Sequence, residues 1–402
     1  MKAFGIEDPA ALLVHMGMRF VHDFRSMDYN LVINKANPAL TLGSPIAGLL
    51  NGGFEGAYSS GVAPSWGKTG TPTGTFQEQT TLPWSSSGSK AQEVIGNTNT
   101  NQPIMQQSIT AGLTRYRTYK IKFKVKVTSG TLRVRVTQIS PFVSYGQRDF
   151  VSGTEGEYHF YFANYLDTNL VIELFNASSS SLSFLIDDMT IEPLVNDTHL
   201  FMRSDAFSAS AWDGRAFNFA GVGQGGFINW NCDRNFRISS NKFTALAITN
   251  VNSTPASRTV QSIYRADITN GKSMMTRYLN GAPNVAQLFL SSDGAAVADY
   301  RASGVDPFTL GRVAYFAQYK GSGSEKMEFD TVQSSGSFSV GSHPATLFDP
   351  VAGQPYLIGA FINASVLQGS VFAGKIELAA FDDDIFTETQ IDFMQKLLKT
   401  YR

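Results

Sequence analysis

Residues 372–401 constrain the fold of this chain more than any other stretch. Ile376, Leu378 and Ala380 alternate with Lys375, Glu377 and Ala379, the period-2 spacing of a half-buried strand. An acidic corner, Asp382 to Asp384, comes next. Thr387 and Gln390 then stand at capping-box spacing, with Phe386 and Ile391 placed as a hydrophobic staple. Ile391, Met394, Leu397, Leu398 and Tyr401 recur at helical spacing and line one apolar face. The chain therefore closes on a strand and one short helix. With 36 glycines, 30 phenylalanines and few long helical patterns, the remainder reads as all-β.

A length of 402 residues predicts two or three domains. Apolar residues at 43% against 16% charged describe a globular chain. A net charge of −1 gives no overall pull toward nucleic acid or an acidic membrane surface. One cysteine, Cys232, excludes a disulfide framework and a cysteine-based zinc site within one chain. No apolar run reaches the roughly 18 residues of a membrane-spanning helix. The apolar stretch Ala10 to Val14 is preceded by Glu7 and Asp8 and followed by His15, Arg19 and His22, so it does not read as a secretory signal. The expectation is a chain that works without export, with Asn176, Asn196, Asn252 and Asn363 as chance glycosylation matches.

Three segments follow from composition. In residues 1–45, Asp8-Pro9 is a helix start, and Ala11, Val14, Met18, Val21 and Phe24 line one side of a helix predicted to reach Arg25, weakened at Gly17. A lone amphipathic helix has to dock, either on its own domains or on a partner gripped through Val14, Met18 and Val21. Residues 46–195 carry alternating strands, most clearly Tyr119 to Val127 and Leu132 to Val136, with a hairpin turn predicted at Thr128-Ser-Gly130. About eight strands over this length fit a double-sheet jelly roll. Residues 200–402 contain the buried-strand candidates Ala314 to Gln318 and Pro355 to Ile362, and residues 205–255 resist placement.

Two family resemblances attach to these residues. The closing Gly374-Lys-Ile-Glu-Leu-Ala-Ala-Phe-Asp382 and its helix resemble the end of laminin-G or concanavalin A-like jelly rolls, which implies a binding domain, often for glycans. Asn51-Gly-Gly-Phe-Glu55, Pro64-Ser-Trp66 and Ile186-Asp-Asp-Met-Thr-Ile191 resemble the two ends of carbohydrate-binding modules of the galactose-binding-like fold. That second resemblance implies a structural calcium where first and last strands meet, held by Glu55 and by Asp187 or Asp188, hard oxygen ligands that suit the ion. The plainer reading of Asp187-Asp188 is a polar strand edge.

Catalytic chemistry finds little support. Retaining sandwich glycosidases need two carboxylates about 5–5.5 Å apart on one face. The nearest segment, Glu325 to Asp330, puts Glu325 and Glu328 on opposite faces of a strand. The five histidines are scattered, and Gly221 to Gly226 lacks the lysine and the strand–helix setting of a phosphate loop. Lys120, Lys122, Lys124, Lys126, Arg133 and Arg135 are predicted to share one sheet face, either solvated or facing an anionic partner. The Pro64-Ser-Trp66 resemblance implies that Trp66 is core, and Trp84, in a Ser-rich loop, is the candidate sugar platform.

The expected architecture is all-β: two tandem antiparallel β-sandwich (jelly-roll) domains, 46–195 and 200–402, preceded by a short helical arm, 1–45. This combination resembles virion proteins of tailed bacteriophages. The resemblance implies a non-enzymatic decoration, fibre or adhesion protein assembled in the host cytoplasm and anchored through its arm. Its implied partners are other virion proteins, copies of itself and cell-surface glycans, with no nucleic acid and no membrane insertion. A secreted bacterial adhesin and a polysaccharide-degrading enzyme are the alternatives.

Overall fold

The computed structural model describes residues 8–400 except 86–87, 141, 166–168, 196–197, 204–206, 221–225, 230–241, 253–255, 267–271, 282, 303–305, 322–325, 330–331, 335, 342–343, 350–353, 364–365 and 370. Cys232, Trp230, Glu325, Asp330, His343 and Tyr401 lie outside the described residues. The chain is all-β, built from antiparallel sheets with short helices. It divides into two compact units. One is Leu40–Asn196 with Arg203–Asp205, and the other joins Met1–Ala39, Asp197–Met202 and Ala206–Arg402.

The unit Leu40–Asn196 is a sandwich of two five-stranded sheets. One sheet runs Glu155–Ala163, Thr118–Ser129, Leu182–Pro193, Ala91–Asn97, Thr75–Gln79, and the other Gly67–Lys68, Gln102–Ile109, Leu170–Asn176, Thr131–Gln138, Val143–Val151. Alternation sets the two faces. Ile121, Phe123, Val125 and Val127 are buried, while Lys120, Lys122, Lys124 and Lys126 between them are half-exposed. Trp66 is core, stacked on Phe54 at 4.9 Å, with its indole N–H donated to the Asn51 carbonyl.

The predicted hairpin at Thr128–Gly130 is not one. Thr118–Ser129 and Thr131–Gln138 belong to opposite sheets, and Gly130, at φ +78°, turns the chain from one to the other. The six cations therefore do not share a face. Lys124 pairs with Asp188, Lys126 with Glu155, Arg133 with Asp149 and Arg135 with Glu173.

In the other unit, sixteen strands among the described residues join one antiparallel sheet. Its interior uses the phenylalanine-rich composition. Phe217 meets Phe219 at 5.0 Å and Phe227 at 5.1 Å, both edge-to-face, and Phe24 meets Phe227 at 5.1 Å. The capping box is present, Thr387 and Gln390 exchanging backbone N–H for side-chain oxygen at 2.9 and 3.3 Å.

The N-terminal segment is not an arm. Asp8 caps a helix, accepting from the Ala10 N–H at 3.0 Å, but that helix spans only Pro9–His15. Gly17, at φ +97°, lets the chain leave the helix, and Phe20–Asp28 becomes a strand paired with both Leu31–Asn34 and Ala373–Asp382. Met18 and Val21 are buried in a second apolar cluster with Leu246, Phe316, Ile391 and Met394, and Val14 packs partly buried against it. Of the two docking alternatives for these side chains, the chain's own core is the one they occupy. Burial of this kind stabilises by about 1.5–3 kcal/mol per large apolar side chain.

Candidate functional site: a groove on the Leu40–Asn196 sandwich

One cross-strand row runs over the outward face of the sheet containing Thr118–Ser129. Gln77 pairs with Glu93, Glu93 with Leu185, Leu185 with Lys126, and Lys126 with Glu155. Because strand side chains alternate, these five project from the face opposite Phe76, Val94, Phe184 and Val125, which fill the core. The row is polar at both ends and apolar in the middle. Gln77 and Gln79 donate their amide N–H groups to Glu93 Oε2 at 2.6 and 3.3 Å. At the other end Lys126 meets Glu155 at 2.8 Å. Leu185 lies between them, and Ile95, 43% exposed, adds a second apolar side chain.

A groove of about 470 Å³ lies over Glu93, Leu185 and Lys126 of this row, walled by Thr81, Leu82 and Pro83 from the adjoining loop and by Thr128 and Ser183. That volume lies within the roughly 300–1,000 Å³ of small-ligand sites. Trp84 is the next residue after the wall. It is half-buried rather than fully exposed, and its Nε1 is shut off from solvent with no protein partner among the described residues. Lys124 donates to the Ser85 carbonyl and pairs with Asp188 at 2.8 Å, tying the Trp84 loop to the sheet.

Glu55 and Asp187 sit near this loop's base. Glu55 Oε1 accepts the Ser89 and Lys90 N–H groups at 2.7 and 2.9 Å. Asp187 is fully buried and accepts the N–H of Asp188, whose φ of +48° accompanies a register break in the strand. Burial first, and then the carboxylates of Glu78, Asp187 and Glu55, push the Tyr58 phenol well above its ordinary value. The positive charge at this corner is the Lys90 ammonium, 2.9 Å from both the Gly56 carbonyl and Glu78. Protein donors thus hold the residues expected to bind calcium. Among the described residues no three His, Cys, Asp or Glu side chains converge as a metal site requires.

No family model matches the chain, and no curated protein matches it. Among solved structures, the CBM40 of Ruminococcus gnavus IT-sialidase aligns at 10% identity and TM-score 0.35, over 45% of this chain and 96% of that one. The CBM22-1 xylan-binding domain of Paenibacillus barcinonensis Xyn10C aligns at 11% and 0.27, over 44% and 94%. A CBM4 structure aligns at 19% and 0.23, over 29% and 77%. Similarity at this level assigns no family and no ligand, so the groove has to be read from its own residues.

Sequence reasoning pointed to Trp84 and missed Gln77, Gln79, Glu93 and Leu185. Their signal was present as outward positions in Thr75–Gln79 and Ala91–Asn97, but the row exists only once strands distant in sequence are paired.

Proposed function

We propose that the Leu40–Asn196 sandwich binds a neutral oligosaccharide in the groove over Leu185. The observation that carries this reading is the middle of the row: Glu93 and Gln79 offer acceptors and donors for hydroxyls, and Leu185 with Ile95 offers an apolar floor for the C–H face of a sugar ring. Binding rather than catalysis is the reading, because the groove's carboxylate is held by amide donors and the other acid of the row, Glu155, is neutralised by Lys126. A glycan array probed with the full chain and with Glu93→Ala tests it. Signals on neutral oligosaccharides that vanish in the variant support the proposal, and a blank array overturns it.

The virion setting implied by resemblance rests on domain architecture, and the arm expected to anchor it has its apolar residues in the chain's own core, so the proposal stays with glycan binding. Calcium at the Glu55–Asp187 corner, which the family resemblance implies, stays outside this proposal. A calcium ion would have to compete there with the N–H groups of Ser89 and Lys90 and with the Lys90 ammonium.

A further inference from the structure

The second unit contains a cleft of its own. The strand Ala373–Asp382 has two neighbours along one edge: Phe20–Asp28 pairs with its residues 378–381, and Phe217–Ala220 with residues 373–376. Between these pairings, at Glu377, the sheet forks. A cleft of about 470 Å³ opens at the fork. Its floor includes Ile248 and Leu378, members of the apolar cluster beneath the terminal helices.

The walls are ionic. Arg25, Arg215, Arg312 and Lys375 line the cleft against three carboxylates, Asp23, Asp213 and Glu377. Three of the cations are matched. Arg25 bridges Asp23 at 2.6 Å and Asp8 at 2.5 Å, Arg312 grips Glu377 through two bonds of 2.6 and 2.8 Å, and Lys375 meets Asp213 at 2.7 Å. Asp213 in turn accepts the N–H groups of Arg215 and Ala216, both at 2.9 Å, which pins the turn that presents Arg215. Arg215 is exposed, and its guanidinium has no carboxylate partner among the described residues.

The geometry points to this cleft as a binding site for an acidic saccharide, with Arg215 taking the carboxylate or sulfate and the paired groups around it taking hydroxyls. A guanidinium fork presents two parallel donors to either anion. The ion pairs beside it supply donors and acceptors in fixed positions, and the buried Ile248 and Leu378 close the bottom of the cleft. This site lies on the other unit from the Leu185 groove, so either proposal can fail alone.

Calorimetric titration of the full chain tests it with three probes: an oligogalacturonate, a heparin-derived sulfated oligosaccharide and a neutral oligosaccharide of equal length. The expected result is binding of at least one acidic probe, weakened by salt, weakened about tenfold or more by Arg215→Ala and unchanged by Glu93→Ala. The uronate and sulfate arms show which anion Arg215 prefers. Arg215→Lys, which keeps the charge and loses the fork, is expected to restore part of the affinity. Failure of both acidic probes overturns the proposal, as does full affinity in Arg215→Ala or binding of the neutral probe that depends equally on Arg215.

Discussion

Gln77 donates its side-chain amide to Glu93 at 2.6 Å, across the register pair that joins the strands Thr75–Gln79 and Ala91–Asn97. The bond fixes the carboxylate over the outward face of the sheet and orients it along the groove. Both residues are half-buried, so their exchange for alanine alters little core packing. Gln77→Ala is expected to weaken oligosaccharide binding several-fold through loss of this orientation, with a melting temperature within about 2 °C of wild type. Parallel titration and thermal melts check it, and unchanged affinity would remove the orienting role.

Trp84 adjoins the groove wall with its indole N–H buried and lacking a protein acceptor among the described residues. Ligand binding against Thr81, Leu82 and Pro83 is expected to move this loop and shift the tryptophan emission. The shift should disappear in Trp84→Phe. If it persists in that variant, another of the four tryptophans reports binding and the loop is a passive wall.

His22 is fully buried, donates through Nε2 to the Thr198 carbonyl at 3.0 Å, and has its pKa lowered to about 3, chiefly by desolvation. In the unfolded chain the same imidazole titrates near 6.5. Between those values the unfolded state binds the extra proton, so stability is complete above pH 6.5 and is lost as pH falls toward 3. His199, also depressed by burial, acts in the same direction. Chemical denaturation across this window should show the decline, with a shallower slope in His22→Gln. A slope identical to wild type in that variant would assign the acid sensitivity elsewhere.

Met18 is buried against Leu246, Phe316 and Met394, where the notion of a free arm would leave it exposed. Met18→Ala should cost about 2–5 kcal/mol of stability, as for other large core truncations. Sedimentation of the folded variant should match wild type, since the side chain serves the fold. A stable variant with an altered oligomeric state would restore the anchoring role.

Glu55 and Asp188 are held by N–H groups and by the Lys124 ammonium. Chelation is accordingly expected to change the melting temperature by less than about 2 °C. A larger fall, reversed by added calcium, would place the ion at this corner.

Local patterns in the chain were legible where a short-range rule decides the outcome. The Thr387–Gln390 box and the lysine alternation of Thr118–Ser129 each depend on neighbours within a few residues or on a period. Two features were not legible for one shared reason. Phe20–Asp28 follows a helix start and carries a helical apolar spacing, yet pairing with Ala373–Asp382, more than three hundred residues away, makes it a strand. Likewise Thr118–Ser129 and Thr131–Gln138 look like a hairpin, and only their partners in opposite sheets separate them. Both candidate sites sit on such long-range pairings, the groove on a five-strand row and the cleft on a fork between strands.

Isothermal titration of a neutral oligosaccharide chosen from the array, comparing wild type, Glu93→Ala and Arg215→Ala, tests the central claim most directly. The account predicts that Glu93→Ala loses about tenfold or more in affinity while Arg215→Ala binds as wild type. Wild-type affinity in a folded Glu93→Ala would contradict it.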